Sequence, residues 1–350
     1  MREDLGPDAS EQASKIEREL FLRAFSPSPP PPSLSSRMAQ MLKDLYIKKG
    51  GMLFTRGEES KFAAFIVTGE LAMFADEADE PIVFGPGAVV GMLDLNIGRR
   101  RGRTARAMSD CHLLEVDYAK WLELTEDHPE YTAITRKRVS QGVHELMVAM
   151  SAPVSATSKV PAFRVFEKST LEPFRDGSMV YRIAALRAAL MFEKAKVESL
   201  VELAKRAKLL RTEPGELIAP PGKRSDRLFV VMRGAVEVER RVMPELRATF
   251  GPGQLVLGGG AFSGELSSYA ITSTAESLVL ALEHQDVDDV ADDQFDIVLS
   301  ALRGMSIERD ALMSRRSKRA TIPPPAPVPS EDASDKPTLE QRVKVAQSST

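Results

Sequence analysis

The sequence predicts a mainly β protein with flanking helices, built as two tandem copies of one domain. The motif Phe-Gly-Pro-Gly occurs at 84–87 and again at 250–253. The segments HLLEVDYAKW and LVLALEHQDV then begin at the same distance beyond their respective motifs. Upstream of each motif an apolar triplet precedes the second of two glycines that stand at one common spacing: Gly57 with Gly69, and Gly222 with Gly234. Three landmarks in one order indicate a duplication.

The first copy is expected at 18–150, after a polar segment, 1–17, that we expect to be disordered. Helices are predicted in ELFLRAF and over 34–46, on either side of a proline-rich tract. From Gly50 to Val116 short apolar runs alternate with turn signals at a spacing of roughly 8–12 residues, which is typical of a barrel or sandwich of short strands.

The stretch 118–150 returns to helical periodicity. It carries an apolar stripe whose members recur at the helical period of 3.6 residues. We expect this stripe to pack on its own barrel, and dimerisation through it stays open. Its members are Val139, Val143, Leu146, Met147 and Met150.

The second copy is expected at 179–316, after a linker at 151–178. It repeats the order of helix, short strands and closing helix. The segment 317–350 is rich in proline and polar residues and has too little apolar content to offset chain entropy, so we expect a disordered tail.

Bulk composition argues against several classes of protein. The 350 residues carry a net charge of −3, which gives no overall attraction to nucleic acid or membrane. Neither a secretory signal nor an apolar run of about 18 residues is present, so we expect a cytoplasmic location. The single cysteine, Cys111, excludes an internal disulfide. The four histidines lack metal-binding spacing, so no metal and no cofactor are expected.

The glycines, the apolar triplets and the Phe-Gly-Pro-Gly turns together resemble the cyclic-nucleotide-binding-domain family, which includes catabolite-activator sensor domains and protein kinase A regulatory subunits. The resemblance covers both copies and implies two tandem jelly-roll β-barrels, each with N- and C-terminal helices. In that family a Gly-Glu-Leu segment binds the ribose, and an arginine nine residues after the glutamate pairs with the cyclic phosphate. The resemblance therefore implies a phosphate-binding segment at VVGMLDLNIGRRRGRT, 89–104.

The site that the resemblance implies lies in the first copy. Arg101 takes the place of the phosphate-binding arginine, and Arg103 is the alternative partner if the loop shifts. Met92 stands where the family has glutamate, and Asp94 could replace that acid only if the short helix were rotated. The candidate ligand-binding residues are Gly91, Met92, Leu93, Arg101, Arg103 and Thr104.

Methionine cannot accept a strong hydrogen bond from a ribose hydroxyl. Leaving that buried hydroxyl unpaired costs about 1–3 kcal/mol, or roughly 10- to 100-fold in affinity. Cyclic nucleotide binding is therefore expected to be weakened. The arginines at 99–106 fit a solvated basic loop equally well.

The second copy departs further from the family pattern. Gly258 replaces the glutamate and Ser267 replaces the arginine, and no lysine or arginine occurs from 248 to 302. The Gly258-Gly259-Gly260 run could form an anion nest, but we favour a loose turn. Glu265 imitates the family's acid but lies too late in the register. We expect this copy to be degenerate.

These observations predict a non-enzymatic regulatory protein in cytoplasmic signal transduction. Its first domain is expected to bind a cyclic nucleotide or another phosphate ligand through Arg101. The alternative is a scaffold that binds protein partners without a ligand. A metal-dependent cupin enzyme would need clustered histidines, and a DNA-binding regulator would need a recognition helix after the barrel; the sequence contains neither.

Overall fold

A computed structural model describes residues 7–25, 32–76, 80–151, 177–222, 227–240, 243–263 and 269–317. In the first repeat two helices precede eight strands, a short helix interrupts the strands, and two helices follow them. The helices are α1 (Pro7–Phe25), α2 (Pro32–Met41), α3 (Met92–Ile97), α4 (Tyr118–Glu126) and α5 (Pro129–Ser151). The strands are β1 (Lys43–Ile47), β2 (Met52–Phe54), β3 (Phe62–Thr68), β4 (Leu71–Phe74), β5 (Ile82–Phe84), β6 (Val89–Val90), β7 (Thr104–Ala107) and β8 (Cys111–Asp117).

The second repeat has the same order of elements. Its helices are α6 (Met179–Ala188), α7 (Val197–Arg206), α8 (His284–Asp293) and α9 (Phe295–Ser317), with 3₁₀ helices at Leu190–Phe192 and Gly258–Ser263. Its strands are β9 (Lys208–Thr212), β10 (Leu217–Ala219), β11 (Arg227–Arg233), β12 (Val236–Arg240), β13 (Met243–Phe250), β14 (Tyr269–Ser273) and β15 (Ser277–Glu283).

Each repeat consists of two antiparallel sheets with matching strand orders. The first repeat has the orders β1-β8-β3-β6 and β2-β7-β4-β5, and the second has β9-β15-β11 and β10-β14-β12-β13. Where β6 completes the first of these sheets, the second repeat has only a bridge between Val230 and Leu255. The strand pairings of the described residues close no barrel. The β-rich architecture with flanking helices is as predicted, although helices contribute more residues than strands.

The glycines shared by the two copies have a common physical cause. Gly69 and Gly234 each follow the apolar triplet and have φ values of 88° and 83°. A Cβ at Gly69 would lie 2.5 Å from the carbonyl oxygen of Asp110, and one at Gly234 would collide with that of Glu276. Only glycine tolerates both the positive φ and this approach of backbone.

Two predictions at the N-terminus, a helix reaching residue 46 and a disordered segment at 1–17, differ from the structure. Residues 43–46 belong to strand β1. Every residue of β1 pairs with a residue of β8, and this pairing overrides the local helical pattern. Helix α1 begins at Pro7, within the segment expected to be disordered. Its middle is held on β1, where Ser14 Oγ and Arg18 Nε each donate to Asp44 at 3.0 Å. Residues 152–176 and 318–350, where a linker and a tail are expected, lie outside the described residues.

Helix α5 packs differently from the sequence prediction. Val143 and Met147 are buried in the hydrophobic core of the second repeat, and Val139 and Leu146 pack against the same core. Ser140 Oγ donates to the Gly259 carbonyl at 2.5 Å across the same contact. The expectation that this stripe packs on its own barrel is therefore wrong, because α5 lies against the 3₁₀ helix Gly258–Ser263 and against α9.

Helix α9 lies between the two repeats. It contacts α3 of the first repeat, the 3₁₀ helix Gly258–Ser263 of the second, and α5. Its inner residues Met305 and Leu312 belong to the core of the second repeat. Within the described part of the chain, none of the helices combines the length and apolar character needed to cross a membrane.

Candidate functional site

Arg101 is the most deeply buried of the candidate site residues with a charged side chain. It lies before β7 and is 1% exposed. Its Nη1 donates to the Gly91 carbonyl at 2.8 Å and its Nη2 to the Phe62 carbonyl at 2.5 Å. Among the described residues no acceptor lies within hydrogen-bond distance of its buried Nε. The guanidinium therefore joins the N-terminus of α3 to strand β3.

The surroundings of this guanidinium are apolar. Its Cζ lies 4.1 Å from the ring centroid of Phe54 and 5.0 Å from that of Phe62, a cation–π arrangement. Within the described residues no carboxylate forms an ion pair with it. Burial lowers the pKa of Arg101, and the more distant charges of Asp94 and Glu58 oppose that shift. Arg101 is thus a buried cation balanced by carbonyl dipoles and aromatic faces.

Gly91, Met92 and Leu93 form the start of α3. Gly91 has φ 85°, and a Cβ there would lie 2.7 Å from Arg101 Nη1, so the glycine makes room for the guanidinium. The Met92 side chain packs, partly buried, against the helical side of the first repeat's core, and Leu93 is partly buried. Neither side chain offers a strong hydrogen-bond acceptor.

Arg103 contacts helix α9 and not the surroundings of Arg101. It is 5% exposed, and its Nη1 lies 2.5 Å from Asp310 Oδ1 of α9 while its Nη2 donates to Ser314 Oγ at 2.9 Å. Thr104 Oγ1 accepts from the backbone N–H of Arg56 at 3.1 Å. The structure therefore brings Gly91, Met92 and Arg101 together, whereas Arg103 binds the second repeat.

The basic loop before β7 is only partly solvated. Arg99 Nε donates to Asp94 Oδ1 at 2.8 Å, and Arg99 Nη1 lies 2.6 Å from Asp310 Oδ2. Arg100 is exposed and donates to the Gly57 carbonyl. Asp94 is 3% exposed and already paired, so it does not occupy the place of the missing glutamate.

Asp310 contacts Arg99 and Arg103 of the candidate site, and sequence reasoning did not identify it. Burial alone would raise its pKa, but hydrogen bonds from Arg99 and Arg103 outweigh burial and the net shift is downward. The same contacts with Asp310 and Asp94 raise the pKa of Arg99 against its burial. Both shifts favour the charged forms of Asp310 and Arg99 at neutral pH.

The corresponding segment of the second repeat holds an internal carboxylate. Gly258 to Ser263 form a 3₁₀ helix instead of the loose turn that we expected, and the Gly259 N–H donates to Glu308 Oε2 at 2.7 Å. Burial raises the pKa of Glu308 to about 7, and the bond from Gly259 opposes that shift. Glu265 and Ser267 lie outside the described residues.

A cavity of about 300 Å³ lies between the repeats, separate from Arg101. The first repeat contributes Asn96, Tyr118 and Leu122 to its lining. Helix α9 contributes Arg303 and its neighbours Leu299, Ser300 and Leu302. The Tyr118 hydroxyl donates to Asn96 at 3.1 Å, and Asn96 donates to Ser306 at 3.2 Å. Among the described side chains, no three of His, Cys, Asp or Glu come together as metal ligands would.

Residues 45–128 match the family model of the cyclic nucleotide-binding domain. The predicted resemblance to this family is confirmed. No curated protein sequence matches the chain.

Solved structures similar to this chain include two protein kinase A regulatory chains and one domain of a bacterial transcriptional regulator. The regulatory domain of Toxoplasma gondii PKA with cAMP is 15% identical, with 88% of this chain and 98% of that chain covered and a TM-score of 0.31. The regulatory subunit of a cAMP-independent protein kinase A from Trypanosoma brucei is 14% identical, with 99% and 95% covered and a TM-score of 0.30. The N-terminal domain of a Streptomyces coelicolor transcriptional regulator is 16% identical, with 36% and 93% covered and a TM-score of 0.31.

Proposed function

We propose that the chain is a non-enzymatic regulatory protein of the cytoplasm, in which the first repeat binds a cyclic nucleotide or another phosphate-bearing ligand through Arg101. The second repeat is a degenerate copy that binds no such ligand. On this proposal each pair of sheets is a jelly roll, with domains at 18–150 and 179–316. The match of 45–128 to a ligand-binding, non-catalytic family supports the regulatory role.

The observation that carries the proposal is the state of the Arg101 guanidinium. A buried cation without a carboxylate partner is unusual, because burying a charge is costly unless an opposite charge compensates it. Arg101 is 1% exposed, its Nε is unpaired within the described residues, and it lies beside the start of α3. A phosphate entering between α3 and β3 would supply the missing negative charge and could accept a forked pair of hydrogen bonds from the guanidinium.

Calorimetry of the full chain with cyclic AMP, cyclic GMP and cyclic dinucleotides tests the proposal. We expect measurable binding of at least one ligand, and a loss of about 10- to 100-fold in Arg101→Ala, because a hydrogen bond to a charged group contributes about 1.5–3 kcal/mol. Arg100→Ala is the matched control, since Arg100 is exposed and its side chain donates to the Gly57 carbonyl. If Arg101→Ala does not fold, Arg101→Lys, which keeps the charge, takes its place. The proposal fails if no ligand binds the wild type, or if the folded Arg101 variants bind as well as the wild type.

A second candidate function is a scaffold that recruits a protein partner without any ligand. The observation that favours it is that Arg99 and Arg103 are already paired with Asp310, so two of the loop's cations are engaged within the chain. A homodimer through the stripe of α5 would require its release from the second repeat. Partner capture that is equal in wild type and Arg101→Ala, in lysate freed of nucleotides, would favour this candidate.

A further inference from the structure

Helix α9 presents two carboxylates to opposite repeats. Glu308 accepts from Gly259 of the second repeat, and Asp310 binds Arg99 and Arg103 of the first. Residues two apart on a helix do not share a face, so this arrangement requires α9 to lie between two surfaces. Each of the two segments that correspond to the ligand site is thus in contact with an acid of the chain itself.

The contact at Asp310 has the geometry of an occupied anion site. Oδ1 lies 2.5 Å from Arg103 Nη1, and Oδ2 lies 2.6 Å from Arg99 Nη1. The side chains of Arg103 and Asp310 are 6% and 17% exposed, so the pair is largely shielded from water. Charge-assisted hydrogen bonds from two guanidinium groups are the usual means of holding a carboxylate or a phosphate.

We propose that Arg99 and Arg103 form a second anion-binding site, which Asp310 occupies as an internal ligand, and that a small phosphate-bearing anion competes with Asp310 and releases α9 from α3. This site uses none of the contacts of Arg101, so it goes beyond the proposed function. Phosphate is the favoured class of anion because it offers more acceptor oxygens than a carboxylate to the same two forks. A small anion is favoured because α9 covers Arg103.

The competition also links the anion to the arrangement of the repeats. Arg103 Nη2 donates to Ser314 as well as binding Asp310, so losing both contacts would free one full turn of α9. Asn96 Nδ2, on α3, donates to Ser306 one turn earlier on the same helix. An anion on Arg99 and Arg103 would therefore weaken the contact between α3 and α9, and stabilising that contact would weaken anion binding by the same factor.

Calorimetry of the full chain with inorganic pyrophosphate tests this proposal. Asp310→Asn keeps the shape of the side chain and removes the competing charge, so we expect it to bind pyrophosphate at least about tenfold more tightly than wild type. Adding Arg103→Gln to Asp310→Asn should abolish the gain. Asp293→Asn, at the exposed end of α8, makes the same change in net charge and should leave the affinity unchanged.

Hydrogen–deuterium exchange gives a readout that does not depend on affinity. Exchange in residues 306–317 should become faster in Asp310→Asn without ligand, and in wild type on adding pyrophosphate. Equal affinity and equal exchange in wild type and folded Asp310→Asn would overturn the proposal. If Asp310→Asn does not fold, exchange in wild type with and without pyrophosphate decides, and equal exchange in residues 306–317 would overturn the proposal.

The outcome can be separated from that of the proposed function. A gain in Asp310→Asn that survives Arg101→Ala but is lost with Arg103→Gln supports the second site, even if no cyclic nucleotide binds. A gain that is lost with Arg101→Ala and survives Arg103→Gln assigns the anion to Arg101 and overturns this proposal.

Discussion

At the scale of single residues, the first repeat has the arginine of the family pattern, Arg101, but has Met92 where that pattern has a glutamate. Arg101 is held by the carbonyls of Gly91 and Phe62, and Gly91 leaves the space that its guanidinium fills. Met92, the next residue, presents a thioether where a ribose hydroxyl would need a carboxylate. On the proposed function, affinity for the phosphate and affinity for the ribose would depend on different side chains and should be separable.

Restoring the acid should restore part of the affinity. We expect Met92→Glu to bind cyclic AMP about 10- to 100-fold more tightly than wild type, because the substitution supplies an acceptor worth about 1–3 kcal/mol to a buried hydroxyl. Met92→Gln has the same shape without the charge and should gain less. Calorimetry measures both, with circular dichroism as the check on folding. A folded Met92→Glu variant with unchanged affinity would show that the ribose does not lie beside α3.

At the scale of elements, the contact of α9 with the second repeat depends on the protonation of the Glu308 carboxyl group. Glu308 has its pKa raised by burial to about 7, whereas an exposed glutamate titrates near pH 4.3. The contribution of Glu308 to the stability of the folded chain is therefore fully present below the pKa that Glu308 has in the unfolded state. It is lost as pH rises through about 7. The contact between α9 and the 3₁₀ helix Gly258–Ser263 should be weaker at pH 8 than at pH 5.

Glu308→Gln tests this dependence. Glutamine retains an oxygen that can accept from the Gly259 N–H but does not titrate. Between pH 5 and pH 8 the free energy of unfolding of the variant should therefore rise by about 1–3 kcal/mol relative to that of wild type. Chemical unfolding at the two pH values measures the gap between the two proteins. Glu202→Gln, at a partly exposed position on α7 where Glu202 pairs with Lys205, is the control. A constant gap would mean that Glu308 titrates as an exposed carboxyl does.

At the scale of the whole molecule, the two repeats share one core across α5. Val143 of α5 is fully buried among side chains of the second repeat, and Ser140 and His144 hydrogen-bond Gly259 and Tyr269 there. The last helix of the first repeat therefore depends on the second repeat for its burial. The two repeats should unfold as one unit, because neither can lose its fold without uncovering this helix.

Scanning calorimetry tests this cooperativity. Wild type should unfold in a single transition, and Val143→Asp should split or markedly lower it, because a buried unpaired carboxyl costs several kcal/mol. The same substitution at Val180, which is 73% exposed on α6, should change little. Two separate transitions in the wild type would contradict a shared core.

The duplication and the position of Arg101 were accessible from sequence because both leave a pattern along the chain. Gly69 and Gly234 have positive φ at matching turns of the two repeats, so the glycines recur at one spacing. The spacing from Met92 to Arg101 spans one helix and loop. Contacts between distant residues left no such pattern. Asp310 reaches Arg103 from the other repeat, and the stripe of α5 fits either repeat by its periodicity alone. The sequence predicts helix at 43–46 because the pairing with β8 is also a distant contact.

The burial of α5 by the second repeat has a consequence for biosynthesis. Val143 and Met147 emerge from the ribosome long before Met305 and Leu312, with which they share a core. At elongation rates of about 5–20 residues per second, that interval lasts on the order of ten to thirty seconds. Throughout it the nascent chain exposes an apolar helix that the sheets of the first repeat do not cover, so a chaperone that shields this stretch should raise the yield of folded protein.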